Sequence, residues 1–267
     1  MKTVSVLTIV QWFFVFCVCL FENQSYGYIL PLDVILNKSV AQSGNQIFSV
    51  EQDVIFTFEA EDFVIRETWL IEGDKNLKLT AVGLGPLKDL FRLVTVYNSK
   101  SKTTLFGKTK QTVLTNSDFF ERYISIRSLD SYKNYLALLS VAPTVRLSRA
   151  AGTTAFAIGE PSTSDITTPH FWIDQNTFHT KKIRFLSESE VSFEDHTLYG
   201  KTIYYPKTKK VSWGQQNVTI KVKQVALKTG ANLSSFYPQK LDQPSEITLS
   251  SKGNAGIIIQ DFYKRFR

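Results

Sequence analysis

The sequence predicts a mainly β fold: a curved antiparallel sheet with one apolar face, closed by short helices. Three observations carry this. Apolar and polar residues alternate with period two along two long stretches, one starting at Phe48 and one at Thr153. Turn-forming clusters such as EGDKN (Glu72–Asn76) and WGQQN (Trp213–Asn217) separate the apolar runs. Helical spacing is confined to short segments, chiefly Leu30–Ser43, Asp130–Ser140 and Ala255–Arg265.

The first 27 residues read as a leader. Lys2 supplies a positive start, Trp12–Phe21 (WFFVFCVCLF) is unbroken apolar sequence, and Ser25 and Gly27 are small residues two apart. This is the layout of a secretory signal peptide cleaved after Gly27. Its apolar core is short for a membrane anchor. Phe16 and Val18, before Cys17 and Cys19, are too large for a lipidation signal. The expected mature chain, residues 28–267, is one domain that begins at Tyr28. Both cysteines leave with the leader, which excludes disulfides, thiolate metal sites and cysteine nucleophiles. A cysteine-free exported chain fits a bacterial periplasm.

Along that chain, Leu32, Ile35, Leu36 and Val40 form the stripe of a first helix, with Gly44 as its stop. Phe48, Val50, Val54 and Phe56 then share one parity and predict a long half-buried strand ending at Phe58. After a turn at Ala60–Asp62, the next inward row is Phe63, Ile65, Glu67, Trp69 and Ile71. Leu77, Leu79 and Ala81 continue the meander, followed by Phe91–Tyr97 and Thr103–Gly107. In DFFERYISI, Asp118 and Glu121 have capping-box spacing for one or two helical turns. Thr144–Gly152 reads as a basic link. Strands are expected at 155–158, 171–174, 182–186, 190–194, 202–205, 210–213 and 218–225, with YPKTKK (Tyr205–Lys210) as a turn.

The net charge of +7 survives removal of the leader, which holds one lysine and one glutamate. Lysines such as Lys207, Lys209, Lys210, Lys221 and Lys223 alternate with apolar residues, the pattern of a strand's solvent face. The charge therefore does not argue for nucleic acid. His170, His179 and His196 fit no metal spacing, and neither HExxH nor GxSxG occurs. The acidic run Ser187–His196 reads as the polar side of a strand and its turn. Neither a catalytic group, nor a metal site, nor a cofactor is expected. Glu67 stands out in an apolar row, and pairing with Arg66, Arg92 or Arg184 is its expected fate. An apolar sheet face of this kind either packs its own core or encloses a ligand.

Several stretches resemble the outer-membrane lipoprotein-sorting family, the LolA/LolB-like carriers. They are ILNKSV in the first helix, RETWLIEG (Arg66–Gly73), LKLTAVG (Leu77–Gly83), FWIDQNTFHTKKIRF (Phe171–Phe185) and YGKTIYYPKTKKV (Tyr199–Val211). The resemblance implies a half-open antiparallel β-barrel with short helices covering its mouth. It implies a monomeric carrier of lipoprotein acyl chains or lipid, handed from an inner-membrane release complex to an outer-membrane acceptor. The cavity would be lined by Val54, Phe56, Phe58, Phe63, Ile65, Trp69, Leu79, Phe185 and Phe193. Phe119, Phe120, Tyr123, Leu136 and Leu139 would form a lid. Those carriers have a Trp-x-Lys-Arg-Pro stretch whose arginine latches the lid; here Trp69 is followed by Leu-Ile-Glu-Gly, with no arginine. The same resemblance admits a second role, an envelope-stress sensor. An outer-membrane β-barrel is disfavoured by the helical segments and the many lysines.

Overall fold

The computed structural model describes residues 29–163 and 167–267; the expected leader, residues 1–27, lies outside them. Among the described residues, thirteen strands run antiparallel along the continuous path of one sheet. In chain order they are β1 (Phe48–Phe58), β2 (Glu61–Glu72), β3 (Asn76–Gly83), β4 (Phe91–Asn98), β5 (Ser101–Phe106), β6 (Thr109–Leu114), β7 (Val145–Ala150), β8 (Thr153–Ile158), β9 (His170–Asp174), β10 (Thr180–Arg184), β11 (Glu190–Tyr199), β12 (Ile203–Trp213) and β13 (Gln216–Leu227). The spatial order is β6-β5-β4-β3-β2-β1-β13-β12-β11-β10-β9-β8-β7, and β14 (Glu246–Ile247) adds to β4. Two meanders are thus joined where β1 pairs with β13. β6 and β7 are left as free edges, so the barrel is half open.

The inner face follows the period-two rows. β1 meets β2 through Val54↔Ile65, Phe56↔Phe63 and Val50↔Trp69, and β3 continues the row with Trp69↔Leu79. Helix α1 (Leu32–Val40), helix α2 (Leu129–Leu138), a 3-10 turn at Phe120–Ser125 and helix α3 (Gly253–Phe266) complete the main elements. Ser128 caps α2, its hydroxyl accepting from the Ser131 amide at 3.1 Å. The opposite side of the first meander carries a smaller cluster, where Phe236 and Leu241 cover Val94, Val96 and Leu105. No helix among the described residues is long and apolar enough to cross a membrane.

Four expectations need correction, and one strand was not expected. The first helix is shorter than Leu30–Ser43, ending well before Gly44. Thr144–Gly152 is no link: Val145–Ala150 pairs with β8 as an edge strand. Thr109–Leu114, not anticipated at all, is the other edge and is exposed along its whole length. YPKTKK is the middle of β12, not a turn. Pro206 is tolerated there because β13 pairs only with Thr208–Trp213, so at Pro206 one side of the strand has no ladder to donate to. Finally, Asp118 and Glu121 make no capping box. Phe119 precedes the 3-10 turn without a side-chain cap, Asp118 accepts from Ser187 Oγ at 2.5 Å, and Glu121 turns inward.

Candidate binding site on the concave face

The concave face is mostly aromatic and aliphatic. Val54, Ile65, Trp69, Leu79, Phe185 and Phe193 are fully buried on it, with Phe56 and Phe63 nearly so. Phe58, at the end of β1, is only half-buried. The residues expected as a lid lie directly over this surface. Phe119 stacks on Tyr97 at 4.2 Å and on Trp69 at 5.8 Å. Phe120 meets Phe193 at 6.3 Å, and Tyr123 meets Phe185 at 5.9 Å. Leu136 and Leu139, on and just after α2, are buried as well.

A third cover was not singled out in the sequence. Helix α3 presents Phe262 and Phe266 to the interior, where Phe262 meets Phe56 edge-on at 5.3 Å and Phe266 packs at 5.3 Å from Trp213. Its apolar spacing was legible, but nothing local shows that it docks between the two meanders.

At the centre of this apolar surface lies a buried polar cluster. Glu67 and Arg267 have fully buried side chains; Arg267 Nε and Nη2 donate to the two carboxylate oxygens at 2.8 and 3.0 Å. Trp69 Nε1 and Gln52 Nε2 also donate to Glu67, at 3.0 and 2.6 Å. Beside them, Lys209 Nζ donates to Glu121 at 2.7 Å, again with no exposure on either side. Tyr205 donates to Glu121 at 2.8 Å, and Gln52 bridges the two carboxylates through a second contact of 3.2 Å to Glu121. Burial alone would raise the Glu121 carboxyl and lower the Arg267 guanidinium. The opposite charges win, holding Glu121 below and Arg267 above their ordinary values. For Lys209 burial dominates and its pKa falls to about 8, although Glu121 opposes the fall. Glu67 is therefore paired, but not with the expected partners. Arg66 bonds Asp53 at 2.9 Å and Arg184 bonds Glu190 at 2.5 Å. Lys209 belongs to the interior and not to a solvent face.

A second, half-buried feature flanks the lid. His179 and His196 stack at 4.6 Å beneath α1 and the 3-10 turn, and each has a buried ring nitrogen without a partner. Burial pushes His196 down to about 3, with the neighbouring imidazole and lysines acting in the same direction. Among the described residues, no group of three histidine, cysteine or acidic side chains could hold a metal ion. Two carboxylates of the acidic run form ion pairs, Glu190 with Lys182 at 2.6 Å and Glu194 with Lys210 at 2.9 Å, while Glu188 and Asp195 are exposed.

Neither a protein-family description nor a curated protein sequence matches the chain. Solved structures do match in shape. A LolA superfamily protein from Nitrosomonas europaea aligns over 80% of this chain and 100% of its own, with a TM-score of 0.57 and 10% identity. A domain from Vibrio parahaemolyticus, provisionally named an outer membrane lipoprotein-sorting protein, aligns over 80% and 98%, with a TM-score of 0.54 and 12% identity. At such identities the likeness concerns the backbone and not the site. The half-open sheet, the short covering helices and these two neighbours together give the chain the LolA-like fold.

Proposed function

We propose that the protein is a binding protein and not an enzyme, and that it takes the acyl chains of a lipoprotein or lipid into its concave face. Residues 1–27 act as a cleaved leader, and the mature chain works as a periplasmic carrier toward the outer membrane. One observation carries this reading. The apolar row from Phe56 to Trp69 is covered by rings on short segments, Phe119, Phe120, Phe262 and Phe266, and not by a second sheet. An acyl chain can replace those rings without breaking a strand ladder, whereas a fixed sandwich core could not make that exchange. An uncovered apolar face would invite aggregation, so closure without ligand and opening with it follow from the same surface. Neighbours named for lipoprotein sorting and the LolA superfamily support the same reading.

Native mass spectrometry of protein purified from cell envelopes without detergent tests it. Lipid-sized adducts are expected, and Phe119→Ser with Phe120→Ser should weaken their retention while raising binding of an apolar dye to the free protein. A bare chain that takes up no acyl chain on exposure to lipid would refute the proposal. N-terminal sequencing of the same material should begin at Tyr28; a chain starting at Met1 would refute the cleavage.

A further inference from the structure

The interior already holds a cation in a cage. The guanidinium of Arg267 donates twice to Glu67. It also lies 4.6 Å from the Phe120 ring centroid, 5.1 Å from Phe262 and 5.3 Å from Trp69. Phe262 belongs to α3, so the walls that remain when this helix is displaced are Trp69 and Phe120; a desolvated carboxylate flanked by aromatic faces is the chemistry that receives a positively charged group. Four buried side-chain charges meet here, two of each sign: Glu67 on β2, Glu121 on the 3-10 turn, Lys209 on β12 and Arg267 at the end of α3. When α3 alone is displaced and the 3-10 turn stays closed over the sheet, three of the four keep their places. Only Arg267 leaves with the helix.

This sets a condition on the ligand, given the acyl-chain reading above. A chain that displaces Phe262 and Phe266 also withdraws Arg267 from Glu67. Lys209 cannot replace it, because it is held by both oxygens of Glu121 at 2.7 and 2.8 Å. Glu67 would be left buried and without a cation, which is strongly disfavoured. An uncharged head leaves that deficit standing, and an anionic head adds to it. A head with an ammonium group restores the charge balance, and its three donors can reach the oxygens that Arg267 vacates. We propose that the interior is a cation-receiving cage, self-occupied by Arg267, and that its acyl ligand carries a free ammonium at the head.

Displacement of an uncharged apolar dye at pH 7 by dodecylamine, dodecan-1-ol and dodecanoate tests this on the wild-type protein. The amine should bind about tenfold or more tightly than the alcohol, the size of one charge-assisted hydrogen bond, and dodecanoate should bind weakest. Arg267→Gln should strengthen the amine further, because its internal competitor is gone. Glu67→Gln combined with Arg267→Gln should erase the preference. Two further pairs separate the sources of an ammonium: phosphatidylethanolamine against phosphatidylglycerol, and a diacylated lipopeptide with a free or an acetylated α-amine. The pair that shows the preference names the source. If chains bind with no preference, or the acid binds best, the cage proposal is overturned while acyl binding stands. If no chain binds, both fall.

Discussion

The buried pair between Glu67 and Arg267 gives the sharpest stability test. Replacing Arg267 by Met removes two short hydrogen bonds, 2.8 and 3.0 Å, from a carboxylate with no exposure. Each charge-assisted bond is worth about 1.5–3 kcal/mol, and breaking one side of a buried pair typically costs about 3–5 kcal/mol. Trp69 and Gln52 still donate to Glu67, so the lower half of that range, about 3–4 kcal/mol, is expected. For a chain of this size that corresponds to a fall in Tm of about 6–16 °C. Glu67→Leu alone should also destabilise, because Arg267 loses both direct hydrogen bonds and keeps only the longer contact of 3.5 Å to Glu121. The double variant should recover most of the loss, since an apolar pair of similar volume can replace a buried ion pair at little cost. Urea unfolding of all four proteins closes the cycle. Single variants that lose less than about 1 kcal/mol, well below the cost of breaking a buried pair, or a double variant that loses their sum, would refute the reasoning.

Two more outcomes follow from the same geometry. Burial pushes His196 down to about 3 in the fold from the ordinary 6.5 of an imidazole, so the unfolded chain binds the extra proton between those values. Stability should therefore fall as pH drops below 6.5, by up to about 1.4 kcal/mol per pH unit; Asp174, His179, Lys181 and Lys209 are the charged or titratable groups around it. Denaturant unfolding of His196→Phe against wild type, from pH 7 to pH 4, should show a shallower loss in the variant, and parallel curves would contradict this. Phe56 is 3% exposed and packs on Phe262, so Phe56→Ala should cost about 3–5 kcal/mol in the closed protein. Half-buried Phe58 should cost clearly less on the same substitution; equal losses in a thermal melt would contradict the placement of the two rings.

How much of this was legible depended on whether the information was local. The register of β1 and β2 could be read from parity alone, because one slip would have exposed every ring from Phe56 to Trp69. Glu67 was conspicuous for the same reason, a carboxylate in an apolar row. Lys209 carried the matching signal, sharing parity with Tyr205, Val211 and Trp213, but neighbouring Lys207 and Lys210 made the stretch look like a solvated face. Pro206 and the lysines likewise hid the continuity of β12. The partner of Glu67 could not be found at all from spacing, since Arg267 lies 200 residues away. Edge strand β6 escaped because an exposed strand has no buried row to alternate with a polar one.

Tryptophan positions allow the central claim, that acyl chains enter the concave face, to be tested directly. Trp69 is fully buried on that face against Phe119, while Trp172 packs on the opposite side of the sheet with Ala150, Ala155 and Ala157. Two versions of the protein, one keeping Trp69 and the other Trp172, with phenylalanine at the remaining tryptophans, can be titrated with a brominated acyl chain, which quenches only on contact. The expected result is saturable quenching of Trp69 with Trp172 unaffected. Quenching of Trp172 alone, or of both to the same degree, would contradict entry into the concave face.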